Sequence, residues 1–144
     1  GAAAMVICTV EKAKAMGKPY AVIKGIDHRI ETHHVTLRDL SRSPSVEIAA
    51  EKAGVHDAPV DVAEIYAPFS HQEIIVKRAL GLDDSVAINP SGGVLAGHLF
   101  MASGLARVGE VAKRIIAGEY KRGVAHATSG PCLQQNMILV LEGM

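Results

Sequence analysis

This sequence predicts an α/β fold, a mixed but mostly parallel sheet covered by helices on both faces. Three observations predict it. Short apolar runs of strand length alternate along the chain with stretches whose apolar residues recur at helical spacing. The helical stretches stop at Gly54, Gly81 and Gly118, the residue type that ends helices most readily. The chain has 144 residues, 49% of them hydrophobic, enough for one domain with its own core. Alternating strands and helices place parallel strands side by side with helices on the faces.

The elements follow in order. Residues 2–10 read as a fully buried strand with Cys8 packed inside it, and 11–17 as a short helix stopped by Gly17 and Pro19. A buried strand needs neighbours on both sides, so the opening residues are expected to follow a preceding part of a longer polypeptide. Residues 20–31 form a strand around Ala21, Val22 and Ile23. His28, His33 and His34 then make a polar region. Strand alternation splits them between two faces and their spacing fits no zinc pattern; a solvated loop or subunit contact is the expected role. Ser43-Pro44 is an N-cap with proline at the first helical position, opening a helix over 44–53 that buries Val46, Ala49, Ala50 and Ala53. Residues 60–67 are the next strand. Ser70 and Glu73 have capping-box spacing and open a helix over 71–80 with Ile74, Ile75 and Leu80 inward. Residues 83–88 lead into a glycine-rich loop, and the apolar stripe Met101, Leu105, Val108, Ala112 and Ile115 marks a helix over 99–117. Residues 122–128 and 133–142 are the last two strands, joined by Ser129-Gly-Pro131.

Composition narrows the function. Lys and Arg together number 15, and so do Asp and Glu. A net charge of zero provides no basic surface for nucleic acid. No apolar run reaches membrane-spanning length and no secretory signal pattern is recognised, so a cytoplasmic location is expected. Two cysteines far apart read as thiols rather than a disulfide.

The stretch from Asn89 to Arg107 holds the most chemistry. Gly92, Gly93 and Gly97 permit positive φ and close backbone approach. His98 is expected where the loop becomes a helix. The positive end of the helix dipole would there keep the imidazole neutral, able to serve an oxyanion or a thiol. The plainer alternative is a histidine packed at a helix end. Ligands of such sheets bind beyond the strand ends, so the loops after 60–67, at 89–98 and at 128–132 are the candidates.

Those loops carry a resemblance. Asn89-Pro-Ser-Gly-Gly93, followed by Gly97-His98 and Ala102-Ser-Gly104, resembles the glycine–histidine loop of thiolases. Glu64-Ile-Tyr-Ala-Pro-Phe-Ser70 resembles the segment reading His-Asp-Cys-Phe in the sterol-carrier-type thiolases, and Gly130-Pro-Cys-Leu-Gln-Gln-Asn136 resembles their C-terminal active-site loop. Gly1-Ala-Ala-Ala-Met-Val6 looks like the last strand of a thiolase N-terminal half. The resemblance implies a thiolase-like C-terminal domain over 19–144, with 1–18 as the last strand and helix of the N-terminal half.

It also implies Claisen-type acyl transfer on a coenzyme A thioester, with no cofactor and no metal. A cysteine in the N-terminal half takes the acyl group; His98 activates it and helps bind the thioester oxygen; Cys132 moves the α-proton of the second substrate. The implied catalytic residues are His98, Cys132 and Tyr66. The implied substrate-binding residues are Ser91, Gly92, Gly93, Gly97, His71 and Gly130. Implied partners are acyl-CoA, the N-terminal half, a second copy of the chain, and in some relatives a small OB-fold protein. Leu99 stands where thiolases usually carry proline, and Tyr66 where related enzymes have His or Asn. These departures keep open a thiolase-like retro-aldolase, and, from another class, a non-catalytic partner subunit.

Overall fold

A computed structural model describes residues 1–144. The elements in chain order are α1 (Val10–Ala15), β1 (Ala21–Ile30), α2 (Pro44–Lys52), β2 (Val62–Ile65), α3 (Ser70–Ala79), β3 (Ala87–Ile88), α4 (Gly93–Ala96), α5 (Ser103–Ile116), β4 (Arg122–Ser129) and β5 (Gln135–Gly143). Single 3-10 turns lie at Val35–Leu37, Val55–Asp57 and Phe100–Ala102.

The five strands form one sheet in the order β1-β5-β4-β2-β3. β3, β2 and β4 run parallel, with Val62 beside Ala87 and beside Gly123. β4, β5 and β1 run antiparallel, from Arg122 opposite Glu142 and from Ala21 opposite Gly143. The α/β class and the mixed sheet are as expected, but the longer ladders are antiparallel. Direction is not written in the residues of a strand. It follows from the connections, and only the β2–α3–β3 and β3–α5–β4 crossovers force parallel neighbours.

Each sheet face has its own core. α2 and α3 cover one, burying Val46, Ala49, Ala50, Val76 and Leu80 on Ala63, Ile65, Val124, Ile138 and Val140. α5 covers the other, burying Val108, Val111 and Ile115 on Val62, Ala125, Leu139 and Leu141. Each fully buried Val, Leu or Ile contributes about 1.5–3 kcal/mol, and truncating Ile138 to Ala would cost about 2–5 kcal/mol. Gly104 brings α5 close to the sheet: a Cβ there would come 2.8 Å from the Cβ of Ala127.

Several expectations are corrected. Residues 2–9 form no strand: they pair with nothing, and Val6, Ile7 and Cys8 are exposed. A strand needs a ladder partner, and this segment crosses an apolar crevice beside β1 and α5 instead of joining an edge. α5 starts at Ser103 rather than 99 and buries Arg107, Val108, Val111 and Ile115, while Met101 and Leu105 face outward. α3 turns Ile74 to solvent and buries Gln72 and Val76. Its capping box does not form, because Glu73 accepts from Asn89 instead. Ser43 makes no cap bond either; Glu31 Oε1 accepts from the Ser45 backbone N–H (3.2 Å) at the start of α2. No helix is long and apolar enough to cross a membrane.

Candidate functional site

The parallel strands β2, β3 and β4 end at one edge of the sheet, so the loops that follow them share that edge. Tyr66 leaves β2 alongside β4, its backbone N–H donating to the His126 carbonyl (3.3 Å).

The loop after β3 is anchored from beneath. Asn89, at φ 47°, extends the ladder with its side chain. Its Oδ1 accepts from the Ile65 N–H (2.7 Å) and its Nδ2 donates to Glu73 Oε2 (2.5 Å). The fully buried Glu64 carboxylate accepts from the Ser91 N–H (3.0 Å), the Ser91 hydroxyl (2.7 Å) and Arg107 Nη1 (2.7 Å). Ser91 Oγ in turn accepts from Arg107 (2.8 Å) and from the Gly93 N–H (3.1 Å). One hydroxyl proton and two lone pairs are thereby all used. Gly92 and Gly93 sit at φ 87° and 62°, the left-handed region that favours glycine.

After the single turn of α4 the chain runs extended through Gly97, where a Cβ would meet nothing within 4 Å. His98 is exposed, between α4 and the turn Phe100–Ala102. It is therefore not at the head of α5, and the helix dipole does not act on it as expected. Side chains orient it instead. Its Nε2 lies 2.9 Å from Tyr66 Oη, and its ring meets Phe100 edge to face with centroids 4.8 Å apart. A Tyr66 hydroxyl that donates to Nε2 leaves the proton on Nδ1; the other tautomer donates Nε2–H to the phenol oxygen. Ser103 Oγ accepts from the Leu99 N–H (2.8 Å) and fixes the residue that follows.

The loop between β4 and β5 is held by its carbonyls. Arg38 donates to Pro131 O (3.1 Å) and Cys132 O (2.5 Å), and Asn136 Nδ2 donates to Leu133 O (2.8 Å). Cys132 and Leu133 take φ 54° and 59°. Cys132 is exposed while Leu133 is buried. Gly130, at φ 73°, starts the turn. No hydrogen bond joins Cys132 to His98 or Tyr66. His71 is exposed in the first turn of α3 and stacks on Phe69, with centroids 5.9 Å apart, outside the bonded network.

Left-handed backbone costs an L-residue free energy and clusters at functional sites. The four non-glycine residues with positive φ are Asn89, Phe100, Cys132 and Leu133. All four lie in these two loops.

Beneath the cysteine loop, His126 is fully buried, its Nε2 2.9 Å from Asn136 Oδ1. The Asn136 amide donates to Ser45 Oγ (2.7 Å) and to Leu133 O, so its oxygen must accept and His126 Nε2 must carry the proton. Nδ1 has no partner. Burial pushes the imidazole pKa down to about 4, against a smaller upward pull from Asn136. No group of three or more His, Cys, Asp or Glu side chains is arranged to hold a metal ion.

The structure thus joins Tyr66 to His98, carries His98 on the same loop as Ser91–Gly93, and places Gly130 and Cys132 on the loop after β4. Sequence reasoning assigned no role to Glu64, Asn89, Arg107, Arg38 or Asn136, although motifs it quoted contain Glu64, Asn89 and Asn136. A signal existed for Glu64, the one charge inside the buried strand β2.

Residues 18–141 match the thiolase C-terminal domain. The chain is 30% identical over 138 residues to an acetyl-CoA acetyltransferase of Methanocaldococcus jannaschii, covering 77% of the chain and 35% of that protein. It is 32% identical over 107 residues to a 3-ketoacyl-CoA thiolase of Acinetobacter baumannii, covering 72% and 27%. It is 32% identical over 152 residues to a 3-oxoadipyl-CoA/3-oxo-5,6-dehydrosuberyl-CoA thiolase of Escherichia coli, covering 99% and 35%. The chain therefore spans about a third of the length of these relatives.

Proposed function

Because the chain belongs to the thiolase family, through that family's C-terminal domain, we propose that it supplies half of an acyl-CoA acyltransferase site. The other half, with the acyl-accepting cysteine, precedes residue 18 in this reading. The exposed apolar residues Ile26, Ile30, Phe100 and Met101 and the free edge of β1 support a covering half or a second copy.

The observation that carries the reading is the 2.9 Å contact between Tyr66 Oη and His98 Nε2 on an exposed loop. A coenzyme A thioester is the substrate and the chemistry needs no cofactor. The acyl group first sits on the cysteine of the preceding half. Cys132, as thiolate, takes the α-proton of a second acyl-CoA. Negative charge moves to the thioester oxygen, where His98 donates and Tyr66 holds His98 in place. The α-carbon then attacks the acyl carbon, the acyl–sulfur bond breaks, and the 3-oxoacyl-CoA leaves; thiolysis is the reverse. Ser91, Gly92, Gly93, Gly97 and Gly130 keep this edge free of bulk. His71 is placed to meet the more distant part of the substrate.

A second reading draws on the same contact. Coupled to His98, the Tyr66 hydroxyl suits removal of a proton from a β-hydroxyl, the first step of a retro-aldol cleavage of an acyl-CoA.

The test is turnover by the complete protein. Release of free coenzyme A from acetyl-CoA, with a new 3-oxoacyl-CoA, supports acyl transfer. Cleavage of a 3-hydroxyacyl-CoA to a carbonyl compound supports the retro-aldolase. Neither activity, in a protein that binds acyl-CoA, leaves the non-catalytic subunit.

A further inference from the structure

We propose that Arg38, locked by Glu31, is the positioning residue that sets Cys132 for proton transfer. The proposal rests on the reading of Cys132 as the α-proton base.

Arg38 follows the 3-10 turn Val35–Leu37. Its side chain is 4% exposed although it sits on a surface loop. Each of the three guanidinium nitrogens donates to a partner, one to Glu31 and two to the cysteine loop. Nε donates to Glu31 Oε2 (2.9 Å), Nη1 to Pro131 O and Nη2 to Cys132 O. Such a planar fork fixes orientation as well as distance.

Glu31 is itself pinned. Its Oε1 accepts from the Ser45 hydroxyl (2.6 Å), the Ser45 N–H (3.2 Å) and the Ser43 hydroxyl (3.2 Å), at the head of α2. Burial acts to raise its pKa, but the Ser45 bonds and Arg38 outweigh it and hold the carboxyl below its usual value. The carboxylate therefore stays charged and the fork stays aimed.

The loop shows what the fork does. Three consecutive carbonyls, of Pro131, Cys132 and Leu133, are all occupied, the last by Asn136. Two adjacent L-residues hold left-handed φ between them. A connecting turn would ordinarily fill such positions with glycine or asparagine. Here external donors impose the conformation while the sulfur stays exposed. Cys8, equally exposed, has no comparable tether.

The experiment compares wild type with R38Q, R38K, E31Q and C132A in the complete protein. One readout is exchange of the acetyl-CoA α-protons with deuterated water. The other is the pH profile of Cys132 alkylation by iodoacetamide, separated from Cys8 by peptide mass spectrometry. A misplaced reacting group costs about 10²-fold. R38Q is therefore expected to lower kcat for exchange by that order, with KM nearly unchanged and the alkylation profile shifted. R38K, which keeps charge but loses the fork, should recover only part, and E31Q should fall between R38K and wild type. A purely structural role would lower the melting temperature yet leave kcat per folded molecule and the alkylation profile alone; that result overturns the proposal. If C132A abolishes exchange while R38Q, R38K and E31Q match wild type, the positioning role falls and the base assignment stands. If C132A exchanges at the wild-type rate, the base assignment itself is wrong and the proposal falls with it. If R38Q does not fold, R38K and E31Q decide on the same criteria.

Discussion

The two loops of the candidate site are held in opposite ways. The Asn89–Ser103 loop is tied from beneath by a buried ionic network of Glu64, Arg107 and Ser91 on the α5 side. His98, on this loop, is gripped by side chains, Tyr66 and Phe100. The Gly130–Gln134 loop is tied through its backbone carbonyls from the α2 side, by Arg38 and Asn136. The side chain of Cys132, on this loop, is exposed and touches no hydrogen-bond partner. A group that must present a fixed N–H to a developing charge needs its ring angle fixed. A thiol that must reach a proton needs a fixed base and a free tip. The difference in anchoring fits the different tasks proposed for the two residues.

The largest expected effect breaks the comparison at its reactive groups. His98→Ala or Cys132→Ala should each reduce carbon–carbon bond formation by about 10²–10⁴-fold in the complete protein, the range for a positioned acid or base. The two should differ in the half-reaction: Cys132→Ala leaves acyl-enzyme formation intact, whereas His98→Ala slows it. Mass spectrometry of the acylated protein reads that difference.

Next comes the anchor of the histidine loop. Glu64→Gln or Arg107→Met leaves one partner of a buried ion pair uncompensated, at about 3–5 kcal/mol of stability. Denaturant unfolding measures it. The exposed Arg42–Glu47 pair provides the contrast, since breaking such a surface pair costs about 0–1 kcal/mol.

The third prediction is a pH effect peculiar to the cysteine side. The folded state binds His126 neutral, with its pKa near 4 against 6.5 for the free side chain. Between those values the unfolded chain takes up the proton and the folded one does not, so stability rises with pH across that window. The contribution is fully present above pH 6.5 and lost as pH falls towards 4, at most about 3 kcal/mol. His126→Gln should flatten this slope in urea melts at pH 4.5 and 7. Glu31 acts in the same direction at lower pH: its lowered pKa makes its stabilisation present above the ordinary carboxylate range and lost on acidification through it.

The smallest effect sharpens the histidine side. Tyr66→Phe removes one exposed hydrogen bond, worth about 0.5–1.5 kcal/mol. It should slow turnover by roughly 2–13-fold with the fold unchanged, as read by kcat at saturating acyl-CoA.

Much of this was legible in the residues. The helical stripe of Val46, Ala49 and Ala50 and the stop at Gly54 placed α2 within a residue, because burial and backbone conformation are local properties. His98 stood out because glycines surround it, and Tyr66 and Cys132 through the resemblance to thiolases. What the sequence hid depends on distance. Glu64 meets Arg107, and Arg38 meets Cys132, across long stretches of chain whose approach is set by sheet order. The expected capping box of Ser70 and Glu73 failed for the same reason: Asn89, remote in sequence, offers Glu73 a better partner. The strand expected over 2–10 had the right composition, but a strand exists only with a ladder beside it.

In the proposed mechanism His98 and Cys132 work on one substrate. A crystal structure of the complete protein with a non-cleavable acetyl-CoA analogue tests it most directly. The carbonyl oxygen of the analogue is expected within about 2.7–3.1 Å of a His98 ring nitrogen, and its α-carbon about 3–3.5 Å from Cys132 Sγ. An analogue seated away from both residues, or the His98 ring and the Cys132 sulfur facing opposite sides of the sheet, would contradict it.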